Sequence, residues 1–362
     1  MAFLWMAFLW MTLIWTTLFQ ATKYGKGQTR FCCRLGLVAL GRTACGIRRD
    51  CRLQWRQSSV FGPWEKGRDI VLDFKKTSDF FVGIDSDGCA FDTMELKQKE
   101  CFIPCVIQFY GLQGVSKYAR EADEFVNLYS KSRGINRFPA LVETLNWLRR
   151  RPPVIARGVK VPELPKVTEW MNREKKLGND ALRAEALRTN DPELMHCLAW
   201  SEAVNRAVGE MVHGVPPFPF VRESLERMAG LADVAVISAT PQEALNREWQ
   251  EHDIARFVSV IGGQEFGTKK EMLAKSAEYP KGHSLMIGDA PGDYKAALAN
   301  GTWFFPINPG DEERSWKRFY EEGIDRFLGN AFDDAYQKEL LDEFDRYLPA
   351  MPPWDVVEGM ES

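Results

Sequence analysis

Short apolar runs rich in Val, Ile and Phe recur along residues 79–307, each ending in a polar cluster and followed by a stretch of helical period. This alternation most constrains the fold. The runs are 79–85 (DFFVGID), 233–238 (DVAVIS), 257–262 (FVSVIG), 284–289 (SLMIGD) and 302–307 (TWFFPI). Near-continuous apolar character over so few residues marks strands buried on both faces, as parallel strands are. Residues 220–229, 241–250, 270–278 and 292–299 have the length and periodicity of helices. The chain is therefore expected to be an α/β protein with a Rossmann-like, doubly wound parallel sheet. In such sheets ligands bind beyond the carboxyl ends of the strands, so the residues placed there carry the chemistry.

The first run ends in Asp85-Ser86-Asp87-Gly88, with Asp92-Thr93 shortly after. Aspartates at a turn are common, and alone this cluster reads as a capped loop. The other strand ends add to it. The second ends in Ser238, ahead of Ala239, Thr240 and a helix opened by Pro241, leaving a hydroxyl and free backbone N–H groups where an anion can rest. The fourth ends in Gly288-Asp289-Ala290-Pro291-Gly292-Asp293, a second pair of carboxylates. Between them, Gly267-Thr268-Lys269-Lys270-Glu271 puts a cation at a helix start, where the macrodipole prefers acids. Carboxylates this close repel unless a metal neutralises them, and an oxygen-only ligand set suits Mg²⁺. A metal, a cation, hydrogen-bond donors and an in-line nucleophile are the equipment of phosphoryl transfer.

The order of these residues resembles the haloacid dehalogenase (HAD) superfamily of aspartate-nucleophile phosphohydrolases. Its first motif, hhhDxDGxxxDT, is matched by Val82-Gly83-Ile84-Asp85-Ser86-Asp87-Gly88-Cys89-Ala90-Phe91-Asp92-Thr93, its second by Ser238, its third by Lys269 and its fourth by Gly288-Asp289 with Asp293. Lys269 is preferred because a lysine two before Glu resembles the Lys-x-Glu form of that motif, with Lys270 as the alternative. The resemblance implies that Asp85 is a nucleophile forming an aspartyl-phosphate. It implies that Asp87 is the general acid and then base, held protonated more readily than its neighbour. It further implies that Mg²⁺ is held by the side chains of Asp85 and Asp289 and the Asp87 backbone carbonyl, with Asp293 bracing the metal cluster directly or through water, and that Ser238 and Lys269 grip the phosphoryl oxygens. The presence of Asp87 favours phosphate over carbon–halogen chemistry. Cys89 and Ala90 depart from the usual aliphatic residues after the glycine, and Cys89 reads as packing.

The resemblance divides the chain into a HAD-like core at 66–95 and 214–330, an inserted α-helical cap at 96–213, and a C-terminal helical extension at 331–362. Residues 115–130, 138–150, 164–176 and 192–212 are amphipathic, with little strand signal between Met94 and Pro216. The linkers at 93–95 and 213–219 are expected hinges. Within the insert, Ser130-Lys131-Ser132-Arg133-Gly134-Ile135-Asn136-Arg137 is a basic turn whose Arg133 and Arg137 are candidates for reading an anionic substrate, or else a solvated loop. Arg149-Arg150-Arg151 before Pro152-Pro153 reads as a helix end. The histidines, His196, His213, His252 and His283, show no metal spacing.

Residues 1–65 stand apart from this pattern. The first 20 are uncharged, opening MAFLWMAFLWMTLIW, and 21–60 hold nine Lys or Arg against Asp50 alone, a charge of +8 that leaves −11 on the remainder. The segment reads as a membrane anchor, a targeting peptide or a mis-assigned start. The sequence as a whole, at a formal charge of −3, lacks the global basic field that draws proteins onto nucleic acid. The expected function is a Mg²⁺-dependent phosphatase acting on a small-molecule phosphate ester. Its expected setting is cytoplasmic, or a membrane if residues 1–20 are an anchor. The alternatives are a phosphotransferase of phosphoglucomutase type and a non-catalytic HAD-like ligand-binding protein.

Overall fold

The computed structural model describes residues 72–358, and the expectations for residues 1–65 lie outside it. Five parallel strands, β1 (Phe80–Ile84), β2 (Ala232–Ile237), β3 (Val260–Gly262), β4 (Ser284–Gly288) and β5 (Trp303–Pro306), form one sheet in the order β3-β2-β1-β4-β5. Strand order reverses about β1, as in a doubly wound sheet. Alternate residues enter two different cores. Val82, Ile84, Val234, Val236 and Ile287 face a layer made by Leu225, Trp249, Trp316, Phe319 and Phe327. Phe81, Ala235, Ile237 and Met286 face Leu273, Ala297 and Phe344 on the other side. Each such apolar side chain fully buried contributes roughly 1.5–3 kcal/mol. Gly83 keeps the second layer close, since a Cβ there would lie 2.8 Å from Ile237 Cδ1.

Register lines up the strand ends. Ile84 lies opposite both Val236 and Ile287. The residues that follow β1, β2 and β4 therefore emerge side by side at one edge of the sheet. β3 is shorter than the apolar run 257–262, because Ala255–Phe257 closes a 3₁₀ turn and pairing begins only at Val260. The stretch 270–278 likewise divides into an α-helix, Lys269–Leu273, and a 3₁₀ turn, Ala274–Glu278.

Between β1 and β2 the chain is helical, and it builds a core of its own from Phe138, Trp170, Trp200 and their neighbours. The rings of Phe138 and Trp170 meet edge to face at 5.1 Å. Local signals set the helix ends. Asn136 accepts from the Phe138 N–H to cap Arg137–Arg150, and Asp191 accepts from the N–H groups of Glu193 and Leu194 to cap Pro192–Met211. Pro152 forces Arg151 into extended backbone and ends the first of these. The expected hinge at 93–95 is helical instead. Thr93–Leu96 runs through a π-helical turn, Lys97–Phe102, into Ile103–Phe109. The return connection at 213–219 is irregular and lies beside the outgoing one, with Phe218 N–H donating to Ala90 C=O at 3.0 Å.

Beyond β5, helices fill 312–328 and Asp334–Tyr347. Gln337 Oε1 accepts from the Phe304 N–H at 2.8 Å, and the ring of Phe344 packs on Phe304. The chain then crosses to the helices that follow β1. Lys131 pairs with Asp345 and donates its N–H to Pro349 C=O. Trp354 packs edge to face on Phe125 at 5.7 Å, with the Arg151 guanidinium 4.2 Å from its ring centre. The C-terminal segment thus touches both the sheet and the helices inserted after β1. Among the described residues no helix is long and apolar enough to cross a membrane.

Candidate active site

Asp85 leaves β1 still tied to the sheet, its N–H donating to Ile287 C=O at 3.0 Å. The turn after it is braced from three directions. Ser86 C=O accepts from the N–H groups of Ala90 and Phe91, Ser86 Oγ accepts from Trp249 Nε1 at 3.0 Å, and Gly88 turns the chain at φ +76°. A glycine is needed there for that φ and for space, because a Cβ at 88 would come within 2.5 Å of the Arg133 guanidinium. The Ser86 N–H donates to Asp85 Oδ1 at 2.7 Å and fixes the carboxylate.

Across the sheet edge, Asp85, Asp289 and Asp293 each offer an oxygen within 4.8 Å of the others. Gly288 allows this approach: a Cβ on it would meet Asp293 Cβ at 2.5 Å. Lys269 bridges two of the acids, with Nζ 2.5 Å from Asp85 Oδ2 and 2.6 Å from Asp293 Oδ1. Burial raises Asp85 and Asp293 to about 6, despite the ammonium beside them. Burial also raises Asp289, offset in part by Arg133. Burial alone would lower Lys269, but Asp293 and Asp85 outweigh it and hold the ammonium charged well above its ordinary value. One oxygen is left over. Among the described residues Asp289 Oδ1 is buried without a hydrogen-bond partner. A bare carboxylate oxygen on one member of such a cluster of acids is an arrangement a small, hard cation would complete, and the all-oxygen donor set fits Mg²⁺.

Lys269 is the lysine brought to the site, and Lys270 is exposed. Thr268 caps the short helix by accepting from the Glu271 N–H, while Glu271 accepts from the Thr268 N–H. That reciprocal cap explains the glutamate two places after Lys269. Ser238 is buried at the end of β2, its N–H on Gly262 C=O and its Oγ accepting from the Thr240 N–H at 3.3 Å.

Asp87 sits differently from its expected state. Its carboxylate accepts from Lys97 Nζ at 2.6 Å on both oxygens, from Thr240 Oγ1 at 2.5 Å, and from the Thr93 hydroxyl. Burial pushes it up, yet Lys97 and the hydroxyl donors bring it below the ordinary carboxylate value. In this conformation Asp87 is thus held as a carboxylate, and the neighbour Asp85 is the more readily protonated of the two, the reverse of the expected order.

Of the two arginines in the 130–137 turn, one reaches the site. Arg133 Nε donates to Asp289 Oδ2 at 2.7 Å and Nη1 to Leu128 C=O at 2.8 Å, and the pair is almost wholly buried. Arg137 is spent within the helical layer, on Ser201 and Asn205, with its guanidinium over the Phe102 ring. Lys97 and Thr240 are site residues to which sequence reasoning gave no role. For Lys97 the available signal is its i, i+4 spacing from Thr93, which puts both on one helix face. Cys89 is a buried thiol whose burial, with the acids around it, raises it well above its ordinary value, so it stays protonated.

The fold and site define an α/β protein with a doubly wound parallel sheet and a buried acidic cluster at the carboxyl edge of its central strands. No family model matches the chain, and no curated protein matches it in sequence. Among solved structures it is similar to a HAD-superfamily hydrolase of subfamily IA from Geobacter sulfurreducens, with 17% identity, 63% of this chain and 86% of that one covered, and a TM-score of 0.33. It is similar also to a haloacid dehalogenase-like hydrolase from Streptococcus pneumoniae (12% identity, 68% and 92% covered, TM-score 0.40). A third is a protein assigned as a phosphoglycolate phosphatase from Lactobacillus delbrueckii subsp. bulgaricus (12% identity, 70% and 99% covered, TM-score 0.42). Likenesses of this degree leave the functional argument with the residues of the site.

Proposed function

We propose that the chain is a Mg²⁺-dependent phosphohydrolase of the HAD type, acting on a small phosphate ester, with the helices after β1 serving as a cap. The observation that carries this reading is the meeting of Asp85, Asp289, Asp293 and Lys269 at one strand edge with an Asp289 oxygen left bare.

Asp85, Asp289 and Asp293 are the side chains that would hold the ion, with the Asp87 carbonyl. When bound, it supplies positive charge to a phosphoryl group and lets a carboxylate approach that anion. Ser238 and the N–H groups that follow β2 would take phosphoryl oxygens, and Lys269 would neutralise a third. Asp85, fixed through Ser86 N–H, would attack phosphorus and break its bond to the ester oxygen, leaving an aspartyl-phosphate. Asp87 would deliver a proton to the departing oxygen and then take one from the water that hydrolyses the intermediate. To do so it must give up Lys97 and take up a proton from solvent before the ester bond breaks. Closure of the helical layer would keep water out during the first transfer.

The test is phosphate release from a panel of phosphomonoesters, in Mg²⁺ and in EDTA. Metal-dependent release is expected. A folded protein that binds Mg²⁺ yet releases no phosphate from any ester would instead support a binding role.

A further inference from the structure

Lys97 opens the π-helical turn Lys97–Phe102, a geometry that often marks functional positions in helices. Its ammonium lies 2.6 Å from both oxygens of Asp87. Exposure is graded across the site. Among the acids, the side chains of Asp289 and Asp293 are 1% and 0% exposed and that of Asp85 6%, whereas Asp87 is 19% exposed; the two lysines, Lys97 and Lys269, are 14% and 20% exposed. Asp87 is therefore the most accessible of the four acids, and Lys97 stands beside it.

The other acids already have their own cations, since Lys269 serves Asp85 and Asp293, and Arg133 serves Asp289. Lys97 is not needed at the phosphoryl pole. If Asp87 protonates the leaving oxygen, that oxygen lies within hydrogen-bond reach of Asp87. Whatever the oxygen carries then lies on the Asp87 side of the cluster, where the Lys97 ammonium stands. Thr93 and Thr240 also donate to Asp87, one to each oxygen, and remain as its partners when Lys97 turns away.

We propose that Lys97 is a specificity residue that receives a second anionic group, a carboxylate or a further phosphate, on the leaving part of the substrate. This rests on the phosphohydrolase reading with Asp87 at the leaving oxygen. An anionic leaving group draws the ammonium off Asp87 and leaves that carboxyl free to meet the ester oxygen as its acid. A neutral one leaves Lys97 where it is.

Two matched pairs test it: 3-phosphoglycerate against glycerol 3-phosphate, and fructose 1,6-bisphosphate against fructose 6-phosphate. Each is assayed in Mg²⁺ with the wild type, Lys97→Met and Lys97→Arg, after circular dichroism shows the variants folded. The wild type is expected to favour the ester with the extra anion in at least one pair by about tenfold to a hundredfold in kcat/KM, the scale of a charge-assisted hydrogen bond. Lys97→Met should erase that ratio, chiefly through KM, and Lys97→Arg should restore part of it. No preference in either pair, or a preference that survives in Lys97→Met while kcat falls equally for both esters, overturns the proposal and leaves Lys97 a positioning group for Asp87. Absence of metal-dependent release from every ester by the wild type, p-nitrophenyl phosphate included, sinks the phosphohydrolase reading and takes this one with it.

Discussion

Arg133 and Asp289 form an ion pair that is 1% exposed on each side and joins the turn after the helix Ser116–Asn127 to the end of β4. Neither charge has water to fall back on, so breaking such a pair from one side costs about 3–5 kcal/mol. Arg133→Ala should lower the melting temperature accordingly. Because Asp289 is also a proposed cation ligand, added Mg²⁺ should recover more stability in Arg133→Ala than in the wild type. Thermal melts with and without the ion measure this, and an equal Mg²⁺ response in both proteins would separate Arg133 from the acidic cluster.

Asp85→Asn is expected to abolish phosphate release while the protein stays folded. Burial and Asp289 already strain the ionised Asp85 carboxyl, and Lys269 keeps Asp293 as a partner after the change. The melting temperature should hold or rise. Turnover close to that of the wild type would remove Asp85 from the role of nucleophile.

Removing the bare oxygen tests the ion directly. Asp289→Asn should flatten the Mg²⁺-induced rise in melting temperature, since the site loses a charged donor while Arg133 loses its counter-ion. Titration calorimetry with Mg²⁺ reads the same loss as weakened binding. Unaltered Mg²⁺ affinity in that variant would place the ion elsewhere.

Asp123 gives a pH dependence away from the site. It is buried in the helix Ser116–Asn127, accepts from Asn127 Nδ2 at 3.1 Å, and is raised by burial to about 7. Unfolded, its carboxyl returns to about 3.9. Between those values the folded protein holds a proton that the unfolded chain releases, so this contribution is full below about pH 4 and is lost as pH rises toward 7. Asp123→Asn cannot ionise. Its melting temperature should gain on the wild type steadily from pH 4 to pH 8, and a difference constant with pH would show that Asp123 titrates normally.

Trp354→Ala removes the ring that packs on Phe125 and under Arg151. The ring is only partly buried, so the loss should be about 2 kcal/mol, short of the roughly 3–5 kcal/mol of a fully buried aromatic. Limited proteolysis should then cut faster in the helices after β1. Unchanged cleavage would mean that the C-terminal segment adds no restraint.

Asp85, Asp87, Ser238, Lys269, Asp289 and Asp293 were legible as candidates because each is defined by its place at the end of a strand or the start of a helix, and those places follow from local apolar pattern. The five strands were legible for the same reason, apart from β3, which starts only at Val260 because the apolar run opens at the end of the 3₁₀ turn Ala255–Phe257. What the sequence could not show depends on how the insert docks. Nothing local distinguishes Arg133 from Arg137 as the residue that meets Asp289. The difference is that Gly134, at φ +79° and close against Ala290, seats the turn on the end of β4. Lys97 was hidden because its partner lies across a turn, and the ordering of Asp87 and Asp85 reverses only once that ammonium is in place.

The two chain connections between sheet and helical insert run side by side, Phe91 bridging to Pro217, and a body joined only there could swing about them as about a single axle. The ties from Asp345 to Lys131 and from Trp354 to Phe125 and Arg151 form a third point of attachment, away from that axle. Three points not in line define a plane. A full swing then requires the third point to let go, and a closure that keeps it intact is limited to a small slide of packed surfaces. Access to Asp87 and Lys97 is set by that attachment as much as by the pair of linkers.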